Sequence, residues 1–203
     1  MVLVVFCLAG AQGISADVSV VNFFTTDDML FGLHSDSYHI FGVDHIEDEV
    51  EGYYFDGSTY GSIPIDYSGS PFPWGVTVVA GIGNYYTDFT SSSIYIETGG
   101  AWETITDPAG VYGRGIAWNG QYLWEADGDY SGNGNGFYRF ESDGTGALFF
   151  ATPELQGYMT GLARFSFDST EYVVVTASED FNFYFYETDG TYAGSAQVPM
   201  PIS

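Results

Sequence analysis

The chain has 203 residues, 45% hydrophobic and 19% aromatic, with 17 Tyr, 17 Phe and 27 Gly, a balance that suits one all-β domain and excludes an intrinsically disordered chain. Its 27 acidic residues face three Arg and no Lys, a formal charge of −24, which repels phosphate backbones and anionic membranes and so excludes nucleic-acid binding. The single cysteine, Cys7, excludes an intramolecular disulfide.

Residues 1–28 begin with an apolar stretch that stops at small residues. It resembles the apolar region of a secretory signal, with Ala11-Gln12-Gly13 as the cleavage site, although no Lys or Arg precedes it. The alternative is a buried strand of the mature protein. Residues 2–9 are too few to span a bilayer as a helix, and no membrane span is expected elsewhere.

From residue 29 onward the chain repeats. Four aromatic strands each end in a Gly turn: Tyr53-Tyr54-Phe55 before Gly57, Ile94-Tyr95-Ile96 before Gly100, Phe137 to Phe140 before Gly144, and Phe183 to Tyr186 before Gly190. These turn glycines lie 43, 44 and 46 residues apart. A second landmark, the glycine opening each inner strand (Gly32, Gly75, Gly115, Gly161), gives spacings of 43, 40 and 46 residues. A period in the forties built from short strands predicts an all-β β-propeller with four four-stranded blades, over approximately 29–70, 71–111, 112–158 and 159–203. Repeat three is the clearest, with strands at Gly115–Trp118, Gln121–Ala126, Phe137–Glu141 and Ala147–Thr152 joined by Asn119-Gly120 and Asp143-Gly144 turns. The opening glycines suit inner strands that converge where a Cβ would clash. Trp74, Trp102, Trp118 and Trp124 fall in strands or at their ends and are expected to pack in the core.

The turn Asp143-Gly144-Thr145, repeated as Asp189-Gly190-Thr191, and the stretch from Gly115 to Trp124 resemble blades of secreted bacterial propellers, the group with NHL-type and streptogramin-lyase-like repeats. The resemblance covers roughly residues 30 to 198 and implies the fold alone, because such blades serve enzymes, sugar binders and adhesion modules alike. No catalytic signature of that group carries over to residues here. Four ways of completing the ring stay open. It closes at four blades, with Asp17 to Phe24 completing an outer blade; two chains pair to make eight; the sequence is part of a longer array; or open blade edges recruit further copies.

In a propeller the loops between second and third strands share a face with the connections between blades. That face collects carboxylates here: Asp44, Glu47, Asp48, Glu49 and Glu51, then Asp88, then Glu179 and Asp180. The sharpest local motif is Asp127, Asp129, Ser131 and Asn135 on a Gly-rich loop, a spacing of oxygen ligands that suits Ca²⁺; the competing reading is a plain Gly-rich hairpin loop. His34, His39 and His45 sit in repeat one but on separate parts of a hairpin, so no metal centre is expected from them. Carboxylates across the central channel would suit a glycosidase, but no pair is fixed by the linear sequence.

These features point first to an extracellular or cell-surface interaction module, non-enzymatic, whose acidic face binds a protein or carbohydrate partner or cations. The alternatives are a structural subunit of an extracellular assembly joined through blade edges, and a carbohydrate-active enzyme using channel carboxylates.

Overall fold

The computed structural model describes residues 2–8, 17–24, 30–36, 38–67, 72–79, 81–128, 135–178 and 182–197. Among them are eighteen strands. The first two, β1 (Val2–Leu8) and β2 (Asp17–Phe24), form an antiparallel hairpin of their own. The other sixteen fall into four antiparallel sheets of four, each strand paired with its sequence neighbour.

Blade one comprises β3 (Leu30–Ser35), β4 (His39–Asp44), β5 (Glu49–Tyr54) and β6 (Thr59–Pro64). Blade two comprises β7 (Pro73–Val79), β8 (Gly83–Asp88), β9 (Ser93–Thr98) and β10 (Ala101–Thr106). Blade three holds β11 (Gly113–Trp118), β12 (Leu123–Asp127), β13 (Gly136–Phe140) and β14 (Leu148–Ala151). Blade four holds β15 (Met159–Phe167), β16 (Thr170–Ala177), β17 (Asn182–Glu187) and β18 (Tyr192–Gln197). The molecule is a four-bladed β-propeller.

The ring closes within one chain. β3 packs on β7, β7 on β11, β11 on β15, and β15 returns to β3. β2 approaches β18, the outer strand of blade four, and among the described residues pairs with β1 alone.

Three of the four opening glycines, Gly32, Gly75 and Gly115, let one blade abut the backbone of the next. A Cβ on Gly32 would lie 2.5 Å from the Cα of Gly75, and one on Gly75 would meet the carbonyl oxygen of Arg114 and, at 2.8 Å, Thr87 Oγ1. A Cβ on Gly115 would lie 2.9 Å from the Cα of Gly161 and meet the Leu162 backbone nitrogen. β3, β7 and β11 therefore each abut the backbone of the next inner strand, with no room for a side chain at that level, whereas a Cβ on Gly161 would meet Thr176 Oγ1 of its own blade, at 2.9 Å.

Three seams between blades are filled with apolar side chains. Val43, Val50 and Ile65 meet Val76, Tyr86 and Tyr95 between blades one and two. Tyr85, Ile94 and Ile96 meet Ile116, Leu123 and Phe140 between blades two and three. Trp124 and Phe137 meet Met159, Leu162, Val173 and Tyr186 between blades three and four. Of the four tryptophans, Trp124 is fully buried and the others half-buried. Among the described residues no cluster of this kind fills the seam between blades four and one. A long-range bond instead ties blade two to blade four, from Trp74 Nε1 to the carbonyl oxygen of Thr160 at 3.4 Å.

The hairpin chemistry follows the repeat. Asp56, Asp143 and Asp189 each accept from the backbone N–H two residues on, at 2.8 to 2.9 Å, ahead of Gly57, Gly144 and Gly190 at φ of 87°, 83° and 89°. Blade two has Gly99-Gly100 at that turn, at φ of 59° and 86°, and one inner hairpin departs further. β15 turns into β16 through Asp168 and Ser169, both at positive φ (47° and 65°), where Asn-Gly or Asp-Gly is the usual pair.

Substituting Gly115 by Val should lower the unfolding free energy by roughly 3 kcal/mol or prevent folding, because both colliding partners are backbone. Urea unfolding measures this, and an unchanged midpoint would refute the crowded axis.

Candidate functional site

The loops between second and third strands and the connections between blades share one face and are stitched together. Ile65 N donates to the Asp48 carbonyl oxygen at 2.7 Å, Asp107 N to that of Ser92 at 3.1 Å, and Gly128 N to that of Tyr112 at 3.1 Å. On this face Asp44, Asp88 and Asp127 take equivalent places, each the last residue of a second strand, and all three are buried. Asp44 Oδ1 accepts from the backbone N–H of Ile46 at 2.7 Å and Glu47 at 3.2 Å. Asp88 Oδ1 accepts from Thr90 and Ser91, and its Oδ2 from Phe72 N at 3.0 Å. These carboxylates anchor turns instead of facing solvent, because they are the nearest acceptors for backbone donors that leave the sheet. Glu47 and Asp48 are exposed, while Glu49 and Glu51 are half-buried. Glu179 and Asp180 lie outside the described residues, as do Asp129 and Ser131 of the Ca²⁺-type loop. Of that loop, Asn135 is half-buried and donates through Nδ2 to the Gly157 carbonyl oxygen at 2.7 Å. Among the described residues no three His, Cys, Asp or Glu side chains converge as metal ligands.

At the centre of this face the residue before each axial glycine comes from a different class: Phe31, Trp74, Arg114 and Thr160. Arg114 carries its guanidinium between the rings of Trp74 and Phe89, 4.2 Å from each centroid. Burial lowers its pKa, yet an Arg remains a cation. Phe31 lies tilted against Trp74, ring centroids 4.3 Å apart, and His45 lies 4.6 Å from both Phe31 and Phe72. The mouth of the channel is thus plugged by aromatic rings around one cation. The other histidines are dispersed. His34 Nδ1 is 3.3 Å from Thr77 Oγ1, and His39 Nδ1 is 3.0 Å from Asp36 Oδ2.

A second cluster was not legible in the sequence. Asp107, on the connection into blade three, and Glu125, on β12, are 3% and 0% exposed. Asp107 Oδ2 and Glu125 Oε1 converge over Gly113, where both occupy the space that a Cβ would need. Asp107 Oδ1 accepts from Ala109 N at 2.6 Å, whereas Asp107 Oδ2 and the Glu125 oxygens meet no donor other than each other's carboxyl among the described residues. Burial, with the Asp127 charge adding to it, pushes the Asp107 carboxyl up to about 7. Burial and then the Asp107 charge push Glu125 well above the usual carboxylate range. The signal was an acidic residue in the middle of an otherwise apolar second strand, Leu123-Trp124-Glu125-Ala126.

Blade one differs from the others in what it leaves outside. Tyr38, Tyr54 and Tyr60 are 72%, 42% and 52% exposed and surround His39, with ring centroids 6.2, 5.2 and 4.2 Å away. β6 is exposed along its whole length.

No family model matches the chain, and no curated relative matches it in sequence. Solved structures share its fold at low identity. Virginiamycin B lyase from Staphylococcus aureus aligns with 97% of this chain at a TM-score of 0.59 and 14% identity; this chain spans 64% of that protein's length. The structure of a nidogen/laminin complex contains a chain that aligns with 94% of this one at 0.57 and 15%, with 89% of its own length covered. A calcium-binding regucalcin from Agrobacterium tumefaciens aligns with 84% at 0.53 and 14%, with 75% of its length covered. At these identities the likeness shows the propeller fold and leaves the activity to be argued from residues.

The buried carboxyls make stability pH-dependent. Free carboxyls titrate near 4, whereas Asp107 holds its proton to about 7. Between those values the native state binds more protons than the unfolded one, so this contribution to stability falls as pH rises. Replacing Asp107 by Asn should therefore stabilise the protein relative to wild type by on the order of 2–4 kcal/mol at pH 8, and by little at pH 4. Urea unfolding of both proteins across that range measures the difference, and a pH-independent difference would contradict the assignment.

Proposed function

We propose that the protein is an extracellular, non-enzymatic binding module whose partner is a basic protein segment. The observation that carries this is the exposed aromatic array of blade one, Tyr38, Tyr54 and Tyr60 around His39, in a fold whose other blades keep most of their aromatic residues in seams. Exposed Tyr side chains supply large contact area at low entropic cost and recur in protein interfaces.

Charge selects the sign of the partner. The formal charge is −24, and all three Arg are engaged: Arg114 between two rings, Arg139 over Tyr122 at 4.8 Å, and Arg164 paired with Glu171. Such a field accelerates encounter with basic partners and repels acidic ones. The carboxyls whose protonation is most displaced, Asp107 and Glu125, are sealed from solvent, which favours a structural role for them over acid–base chemistry on a substrate. A propeller neighbour solved with laminin supports a protein partner. The extracellular setting rests on the signal-like reading of the apolar opening and Ala11-Gln12-Gly13, in which cleavage separates β1 from β2.

Panning a displayed random-peptide library on the immobilised protein tests this reading. Enriched peptides should combine Lys or Arg with an aromatic residue, and capture should fall about tenfold for a Tyr38→Ser, Tyr60→Ser double variant. Enrichment of acidic or neutral peptides, or capture indifferent to the double variant, would contradict it.

A further inference from the structure

Beside the exposed tyrosines the seam between blades one and two opens as a cleft of about 160 Å³. Tyr60 and Ile63 of β6 form one rim and Val78 of β7 the other, with exposures of 52%, 49% and 42%. Val76 and Tyr86 line its buried side. The polar group in the wall is Asn84, whose Nδ2 donates to Glu97 Oε2 at 3.0 Å, so a carboxylate stands directly behind it. Glu97 also takes the backbone N–H of Gly100 at 2.6 Å, which fixes that charge in place. Residues 30–106, which make up both blades, contain acidic residues throughout and no Lys or Arg.

Three half-exposed apolar side chains around an apolar recess leave surface that water covers at a cost. The volume is close to the roughly 150 Å³ that takes up a benzene ring in an apolar protein cavity. A carboxylate behind the wall and an acidic surround favour positive charge on either side of whatever fills it.

We propose that this cleft is the anchor site for one aromatic side chain of a basic peptide segment laid along β6. This rests on the binding-module reading and adds the point of attachment. The anchor ring enters between Tyr60, Ile63 and Val78, and flanking Lys or Arg residues meet the field of blades one and two. Because β6 is exposed along its whole length and is the outermost strand of its sheet, its backbone is open to a segment running beside it.

The probes are the peptides Lys-Lys-Phe-Lys-Lys, Lys-Lys-Ala-Lys-Lys and Glu-Glu-Phe-Glu-Glu, titrated into the full chain and followed by amide chemical shifts. The Phe-containing basic peptide should shift Ile63, Val76 and Val78 saturably, and the other two should bind at least tenfold more weakly. Val78→Trp, which fills the cleft from a half-exposed position, should erase the advantage of Phe over Ala. Ile63→Lys, on the opposite rim, serves the same purpose should Val78→Trp unfold the seam. Equal affinity of the Phe and Ala basic peptides, or saturable shifts confined to other blades, would overturn the cleft while leaving a basic-partner module standing. Absence of saturable binding by either basic peptide would overturn both.

Discussion

Everything in this molecule hangs on backbone crowding at the propeller axis. Three of the four inner strands lie closer to the next than a side chain allows, and Gly32, Gly75 and Gly115 supply the missing space. Once those backbones touch, the sheets must splay outward, and the wedges between them fill with the Tyr, Phe and Trp side chains that make this composition so aromatic. The residues before the glycines, Phe31, Trp74, Arg114 and Thr160, then pack over the end of the axis as a plug. In the proposed reading, recognition falls to the seams and outer strands.

The charge of −24 is distributed by the same logic. Some carboxylates are absorbed by the fold: Asp44 and Asp88 hold turns, and Asp56, Asp143 and Asp189 hold hairpins. Asp107 and Glu125 go further, sharing a sealed space in which burial makes both carboxyls hold their protons to higher pH than free ones do. What remains outside, such as Glu47 and Asp48, gives a diffuse negative field without a convergent metal cage among the described residues. A field of that kind favours basic partners over acidic ones, and in the proposed reading the apolar rim of blade one is where they attach.

Much of the fold was legible in the sequence because its signals are local and repeated. Turn glycines, aromatic third strands and opening glycines recur at one period, and each answers a short-range demand of the backbone. The role of the opening glycines could be stated in advance because crowding at an axis has few solutions. The second strand of blade two, Gly83–Asp88, carries the weaker signal Asn84-Tyr85-Tyr86-Thr87 and emerges only from its pairing with β7 and β9. The acidic loops were legible as a face, but which oxygens are consumed by backbone donors depends on turn geometry. Asp44 and Asp88 therefore changed role, from presenting charge to holding turns. Asp107 and Glu125 lie 18 residues apart on different elements, and the cleft draws on two blades; such long-range meetings leave no mark at any fixed spacing.

Amide hydrogen exchange on the four inner strands tests most directly whether one chain closes its own ring at the glycine axis. Closure predicts that amides of β3 and β15 paired to β4 and β16 exchange as slowly as their counterparts in β7 and β11, by global unfolding alone. Fast exchange confined to β3 and β15 would show an open ring with two free ends, and would contradict the account.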